Sequence, residues 1–169
     1  MDLTICGESG LLDDKYHFVE DRGGWIITSF GQSTYVVRIR SSLLRNDRSH
    51  GYWDVGFIES DQLVVTEYVF DDIWPDLPSS TAGILGKVLF TENIATRLLE
   101  DFEARGRGME HLLVHCSRGK NISPAVAIVL NKIYDLGAND ADLREQYRED
   151  ANWYVYRTLI ETAKKRGLI

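Results

Sequence analysis

At 169 residues the chain has room for one domain with a sizeable core, and 44% hydrophobic with 27% charged residues is the make-up of an ordinary globular protein rather than a disordered or fibrous one. A formal net charge of -7 excludes a broad nucleic-acid footprint or a polybasic membrane surface, leaving room only for a local basic pocket. No apolar run approaches membrane-spanning length, the start Met1-Asp2-Leu3 shows no secretory pattern, and two cysteines, Cys6 and Cys116, are too few for a disulfide framework; a cytoplasmic protein is expected.

In chain order, residues 3–6 predict a first strand closed by Gly7. Leu11, Leu12, Tyr16 and Val19 fall at helical spacing and predict a helix over 9–20, broken by Gly23-Gly24. The run at 25–30 predicts a strand. The stretch 41–61, rich in Ser, Asp, Arg and Gly, predicts a surface excursion with a helical turn near Leu43-Leu44; its His50, Tyr52 and Trp53 are candidates for a substrate rim. Residues 63–70 predict a third strand, followed by an acidic, proline-marked loop at 71–78. Thr91 is an expected N-cap for a helix carrying Ile94, Ala95, Leu98, Leu99 and Phe102 at helical spacing, with Gly106 as its stop. Next come a strand at 111–115 and a helix at 124–136, with Ser123 as N-cap, Pro124 at its first position and Gly137 after its end. That helix opens apolar on every side, which predicts a central, buried position. Two further helices are expected over 140–148 and 153–166, with Trp153, Tyr156 and Arg157 locking the last one in place. Alternating strands and helices predict a single three-layer α/β domain over 1–169, with a mainly parallel sheet flanked by helices.

The segment with most chemical content is 115–124, His-Cys-Ser-Arg-Gly-Lys-Asn-Ile-Ser-Pro, between the strand and the buried helix. A cysteine at such a turn lies where backbone N–H groups converge and the helix dipole is positive. Both favour a thiolate and an anion beside it. A nucleophile for a phosphoester needs that arrangement, because a negatively charged substrate otherwise repels a negatively charged attacker. A nucleotide-binding P-loop is excluded, since Val114 stands at the first glycine position and Asn121 at the Ser/Thr position. A rhodanese-type sulfur-carrier loop is shorter than this one.

These residues resemble the protein tyrosine and dual-specificity phosphatase family, whose signature is His-Cys, five residues, Arg, then Ser or Thr. His115, Cys116, Gly119 and Ser123 occupy matching positions; the run Asn152-Trp153-Tyr154-Val155-Tyr156-Arg157 looks like the closing helix of small microbial members. The resemblance implies metal- and cofactor-free phosphomonoester hydrolysis through a phosphocysteine. In it Cys116 is the nucleophile, Ser123 the donor to the leaving thiolate, His115 a support behind the loop, and residues Ser117, Arg118, Gly119, Lys120, Asn121 and Ile122 the phosphate cradle. It also implies a general acid on a neighbouring loop. Trp74-Pro75-Asp76 matches the motif of the tyrosine-specific members and nominates Asp76; the smaller members place the acid directly after a strand, which nominates Asp71 or Asp72, with Asp72 retained beside Asp76.

At one position the sequence departs from the pattern: Ile122 stands where the family has its arginine. That guanidinium clamps two phosphoryl oxygens, and two lost charge-assisted hydrogen bonds at roughly 1.5–3 kcal/mol each imply a rate loss on the order of 10² to 10⁴. Lys120 is at best a point charge in place of a planar fork, and Arg118 and Lys120 are expected to fan outward. Three functions therefore follow: an impaired phosphatase acting on a phosphorylated protein or small phosphoester, a pseudophosphatase that binds an oxyanion without turnover, and a redox or sulfur-transfer cysteine protein with Cys6 as resolving thiol. Bland readings stand beside them: a buried strand cysteine for Cys6, a satisfied structural histidine for His115, and a solvated acidic loop for 71–78.

Overall fold

A computed structural model describes residues 1–12, 17–21, 24–42, 55–75 and 86–169. The elements are β1 (Asp2–Cys6), a 3-10 turn (Glu8–Leu12), β2 (His17–Asp21), β3 (Gly24–Ser29), β4 (Thr34–Arg40), β5 (Gly56–Phe57) and β6 (Leu63–Val69). After these come α1 (Glu92–Asp101), continuing as a π-helical turn (Phe102–Gly106), then β7 (His111–His115), α2 (Ile122–Tyr134), α3 (Asp140–Gln146) and α4 (Trp153–Lys165).

The main sheet has the order β1-β7-β4-β6 and is parallel throughout. Alternate strand residues divide between its two faces. Val37, Ile39, Leu112 and Val114 join a large core built with α1, α2 and α4, to which Leu98, Leu99, Val126, Val129, Val155 and Leu159 contribute fully buried side chains. Val36 and Leu113 point the other way, into a smaller cluster with Leu11, Ile27, Phe30 and Val55. The second sheet, β2-β3-β5, and the 3-10 turn supply that outer layer. The expected three-layer α/β architecture with a mainly parallel sheet is thus observed, and the layer facing away from the main helices is a small sheet. Among the described residues, no helix is long and apolar enough to cross a membrane.

Four local expectations are corrected. The helix expected over 9–20 is a 3-10 turn followed by β2, which pairs antiparallel with β3. An isolated helix of that length is marginal in water, and His17-Phe18-Val19 gain more from a ladder against Ile26-Ile27. The spacing assigns no element to 34–40, yet β4 is the inner strand that pairs with both β6 and β7. Val55 is buried and β5 joins the second sheet, so 41–61 is not wholly a surface excursion; Leu43-Leu44, His50, Tyr52 and Trp53 lie outside the described residues. Finally, α2 begins at Ile122, so its N-cap is Asn121, while Ser123 and Pro124 lie inside the first turn, where a proline loses no intrahelical hydrogen bond.

Thr91 caps α1 as expected, accepting from the Ile94 N–H. Trp153 and Tyr156 meet edge-on at 5.2 Å beneath the Arg144 guanidinium, tying α4 to α3, whereas Arg157 is exposed.

Candidate active site

The parallel pairing of β1 with β7 continues past the strand end, where the Cys116 N–H reaches the Cys6 carbonyl at 3.4 Å. The chain then turns through 117–121 into α2. Gly119 has φ +71°, and a Cβ there would lie 2.3 Å from the Gly7 nitrogen and 2.5 Å from the Cys6 carbonyl carbon. The Cys loop therefore lies directly on the turn that ends β1, in a conformation and a space that only glycine fits.

This packing places the Cys116 thiol, 6% exposed, at the start of α2. The Gly119 N–H donates to Sγ at 3.3 Å, and Sγ lies 3.2 Å from the Oγ of Ser123, which is fully buried on the helix's first turn. The Gly119 N–H, the Ser123 hydroxyl and the first turn of α2 thus all face the sulfur.

Cys116 opens into a cavity of about 420 Å³. Ile39, Phe70 and Ile122 form its apolar wall, Asp71 and Asp72 bring carboxylates, and Lys87 and Arg118 bring cations. Ser117 and Asn121 also line it; Gly119 and Lys120 do not, and Lys120 is exposed. Ile122, 8% exposed, occupies the cavity side of the first turn of α2 with a side chain that offers no hydrogen bond.

The adjacent aspartates have different surroundings. Asp71 is buried; its Oδ1 accepts from Ser41 Oγ at 2.5 Å and Ser42 N–H at 3.0 Å, and its Oδ2 from Val88 N–H at 2.6 Å and Ser42 Oγ. Burial pushes its pKa up, but these donors outweigh burial and hold it below the usual aspartate value. It is a structural anion that fastens the end of β4 to the segment before α1. Asp72 is exposed, lines the cavity, and accepts from Asn152 Nδ2 at 2.6 Å. Asp76 lies outside the described residues.

Asn152 is a site residue that sequence reasoning leaves without a role. It is fully buried; its Oδ1 caps α4 by accepting from the Tyr154 and Val155 N–H groups, both at 3.1 Å. Its own N–H donates to the Asn121 carbonyl at 3.0 Å, and Asn121 Nδ2 donates to the Asp150 carbonyl at 2.9 Å. With Oδ1 committed to the helix, the Asn152 amide must present Nδ2 to Asp72, so one side chain joins the acidic loop, the Cys loop and α4. An asparagine before a helix is a visible capping signal, but nothing in the sequence shows what its other end touches.

His115 lies on the opposite face of the sheet from the large core, beside Phe57 with ring centroids 5.7 Å apart. Neither ring nitrogen has a hydrogen-bond partner among the described residues, so its contact with its surroundings is by packing. Burial, with smaller contributions from Arg38 and Arg40, lowers its pKa from 6.5 to about 3, so it is neutral in the folded protein. The unfolded chain takes up this proton first. Stability from this group is complete above pH 6.5 and is lost as pH falls toward about 3, at roughly 1.4 kcal/mol per pH unit. Urea unfolding across that range should show a slope that is smaller by about this amount in His115→Gln.

Cys6 packs against the smaller cluster and Cys116 belongs to the larger one, which puts the two thiols on opposite faces of the sheet. Among the described residues, no group of His, Cys, Asp and Glu side chains is arranged to hold a metal ion.

No protein-family model matches the sequence, and no curated protein matches it. Among solved structures, the chain is similar to Tk-PTP in its active form, at 16% sequence identity and a TM-score of 0.42, over 89% of this chain and 99% of that one.

Proposed function

We propose that the chain is a cysteine-dependent phosphomonoester hydrolase of the protein tyrosine and dual-specificity type, slowed by Ile122. One observation carries the proposal: the Cys116 sulfur receives Gly119 N–H and Ser123 Oγ at the start of α2 and shares its cavity with Asp72. In the first step Sγ attacks phosphorus, the bond to the leaving oxygen breaks, and Asp72 gives that oxygen its proton. In the second, water attacks the phosphocysteine while the Asp72 carboxylate takes its proton. Phosphate departs, and Ser123 donates to the leaving thiolate. The Asn152 contact on Oδ1 of Asp72 leaves Oδ2 as the oxygen that carries the transferred proton. The substrate class is a phosphorylated protein or a small phosphoester.

A series of aryl phosphates with leaving groups of falling acidity tests this. Asp72→Asn should slow phenyl phosphate by about 10²–10³ and leave the most activated esters nearly unchanged, because only a poor leaving group needs the proton. A uniform loss across the series would remove Asp72 as the acid. Absence of hydrolysis throughout would favour the second reading, an oxyanion-binding module without turnover, which the apolar Ile122 in the cavity wall supports. The redox reading gains nothing from the placement of Cys6.

A further inference from the structure

Ile122 brings no charge to the cavity side of the first turn of α2, so a side-chain cation for an oxyanion beside Cys116 has to come from another position. Two basic side chains line the cavity, Arg118 and Lys87. Arg118 is exposed, whereas Lys87 is half-buried and makes no ion pair among the described residues. A half-buried lysine lays its stem along the wall and keeps its ammonium in water, free to meet an anion that enters the cavity.

The backbone beside Lys87 is fastened to the cavity wall. Val88 N–H donates to Asp71 Oδ2 at 2.6 Å and Asp71 N–H donates to the Val88 carbonyl at 2.8 Å. The donors on Asp71 already occupy its oxygens, so that carboxylate anchors the segment rather than pairing with the lysine. The apolar wall of Ile39, Phe70 and Ile122 strengthens any charge interaction inside the cavity.

We infer that Lys87 is the cation that binds the tetrahedral oxyanion in this cavity, replacing from a separate segment the charge that Ile122 does not provide. The inference rests on the phosphohydrolase reading of the same site and assigns it a binding residue outside the Cys loop. An ammonium with three rotatable donors neutralises an oxyanion without gripping two chosen oxygens, so binding is retained while the transition-state clamp is lost.

Calorimetric titration with inorganic phosphate tests it, with thermal unfolding to confirm that each variant is folded. Lys87→Met should weaken phosphate by at least about tenfold, and Lys87→Arg should stay within about threefold of the parent. Arg118→Met should cost less than Lys87→Met. In the Ile122→Arg background Lys87→Met should cost clearly less than it does in the parent, a dependence that a merely structural role for Lys87 would not give. Unchanged phosphate affinity in Lys87→Met, or a loss confined to Arg118→Met, overturns the inference while leaving the anion site standing. If the parent binds no phosphate and phosphate does not protect Cys116 from iodoacetate, the inference and the reading beneath it fall together.

Discussion

Ile122→Arg should raise the hydrolysis of a generic aryl phosphate by on the order of 10² to 10⁴ in kcat/KM. The gain is the return of two charge-assisted hydrogen bonds to the phosphoryl oxygens, roughly 1.5–3 kcal/mol each, realised most fully as charge spreads in the transition state. The geometry favours the substitution. Residue 122 is the first of α2 and already faces the cavity, so a longer side chain can enter about 420 Å³ of open space instead of the packed core. The exposed carboxylate of Asp72 shares that space and offers the new guanidinium a resting partner before substrate arrives. Steady-state kinetics of the purified variant checks the prediction. A folded Ile122→Arg protein no faster than its parent would show that the deficiency lies elsewhere in the site.

The second large effect is a loss. Cys116→Ser should abolish turnover in the parent and in Ile122→Arg alike, because a serine hydroxyl lacks both the thiolate and a neighbouring base to ionise it. The fold should survive. Oxygen replaces sulfur where a donor from Gly119 and a hydroxyl from Ser123 already converge, so no buried group is left without a partner. The change in unfolding free energy should therefore stay within about 1 kcal/mol. Phosphate release by the variant, measured beside its thermal unfolding curve, separates lost chemistry from lost structure. Hydrolysis that persists in a folded Cys116→Ser protein would require another nucleophile.

What the sequence revealed of this site follows from how local each signal is. The Cys loop, β7 and α2 were legible because a short apolar strand, a glycine and a long apolar helix succeed one another without interruption. α1 was legible for the same reason, with Thr91 and Gly106 marking its ends. β4 was not. Both of its faces are covered, so Tyr35, Val36 and Val37 are all buried and the alternation that identifies a half-exposed strand is missing. Residues 9–20 misled because a few apolar positions at helical spacing also suit a turn and an edge strand. The acid was narrowed to a loop and no further, since Asp71 and Asp72 differ only in what they meet. Ser41, Ser42 and Val88 immobilise the first, and Asn152 orients the second. Lys87 has no local signature at all. It becomes a site residue only because Asp71 holds Val88, and that pairing exists only once β4, β6 and the segment before α1 have come together.

The contact of Gly119 with Gly7 bears on how the protein folds. The Cys loop cannot take its shape over an open surface, because its glycine lies directly against the turn after β1. Among the described residues β1 is also an edge strand of the main sheet, joined to β7 alone. The loop is therefore completed when the first strand adds to the sheet, a pairing of segments far apart in sequence and slow to form for that reason. Chemical competence thus depends on that long-range pairing as well as on the Cys loop's own sequence.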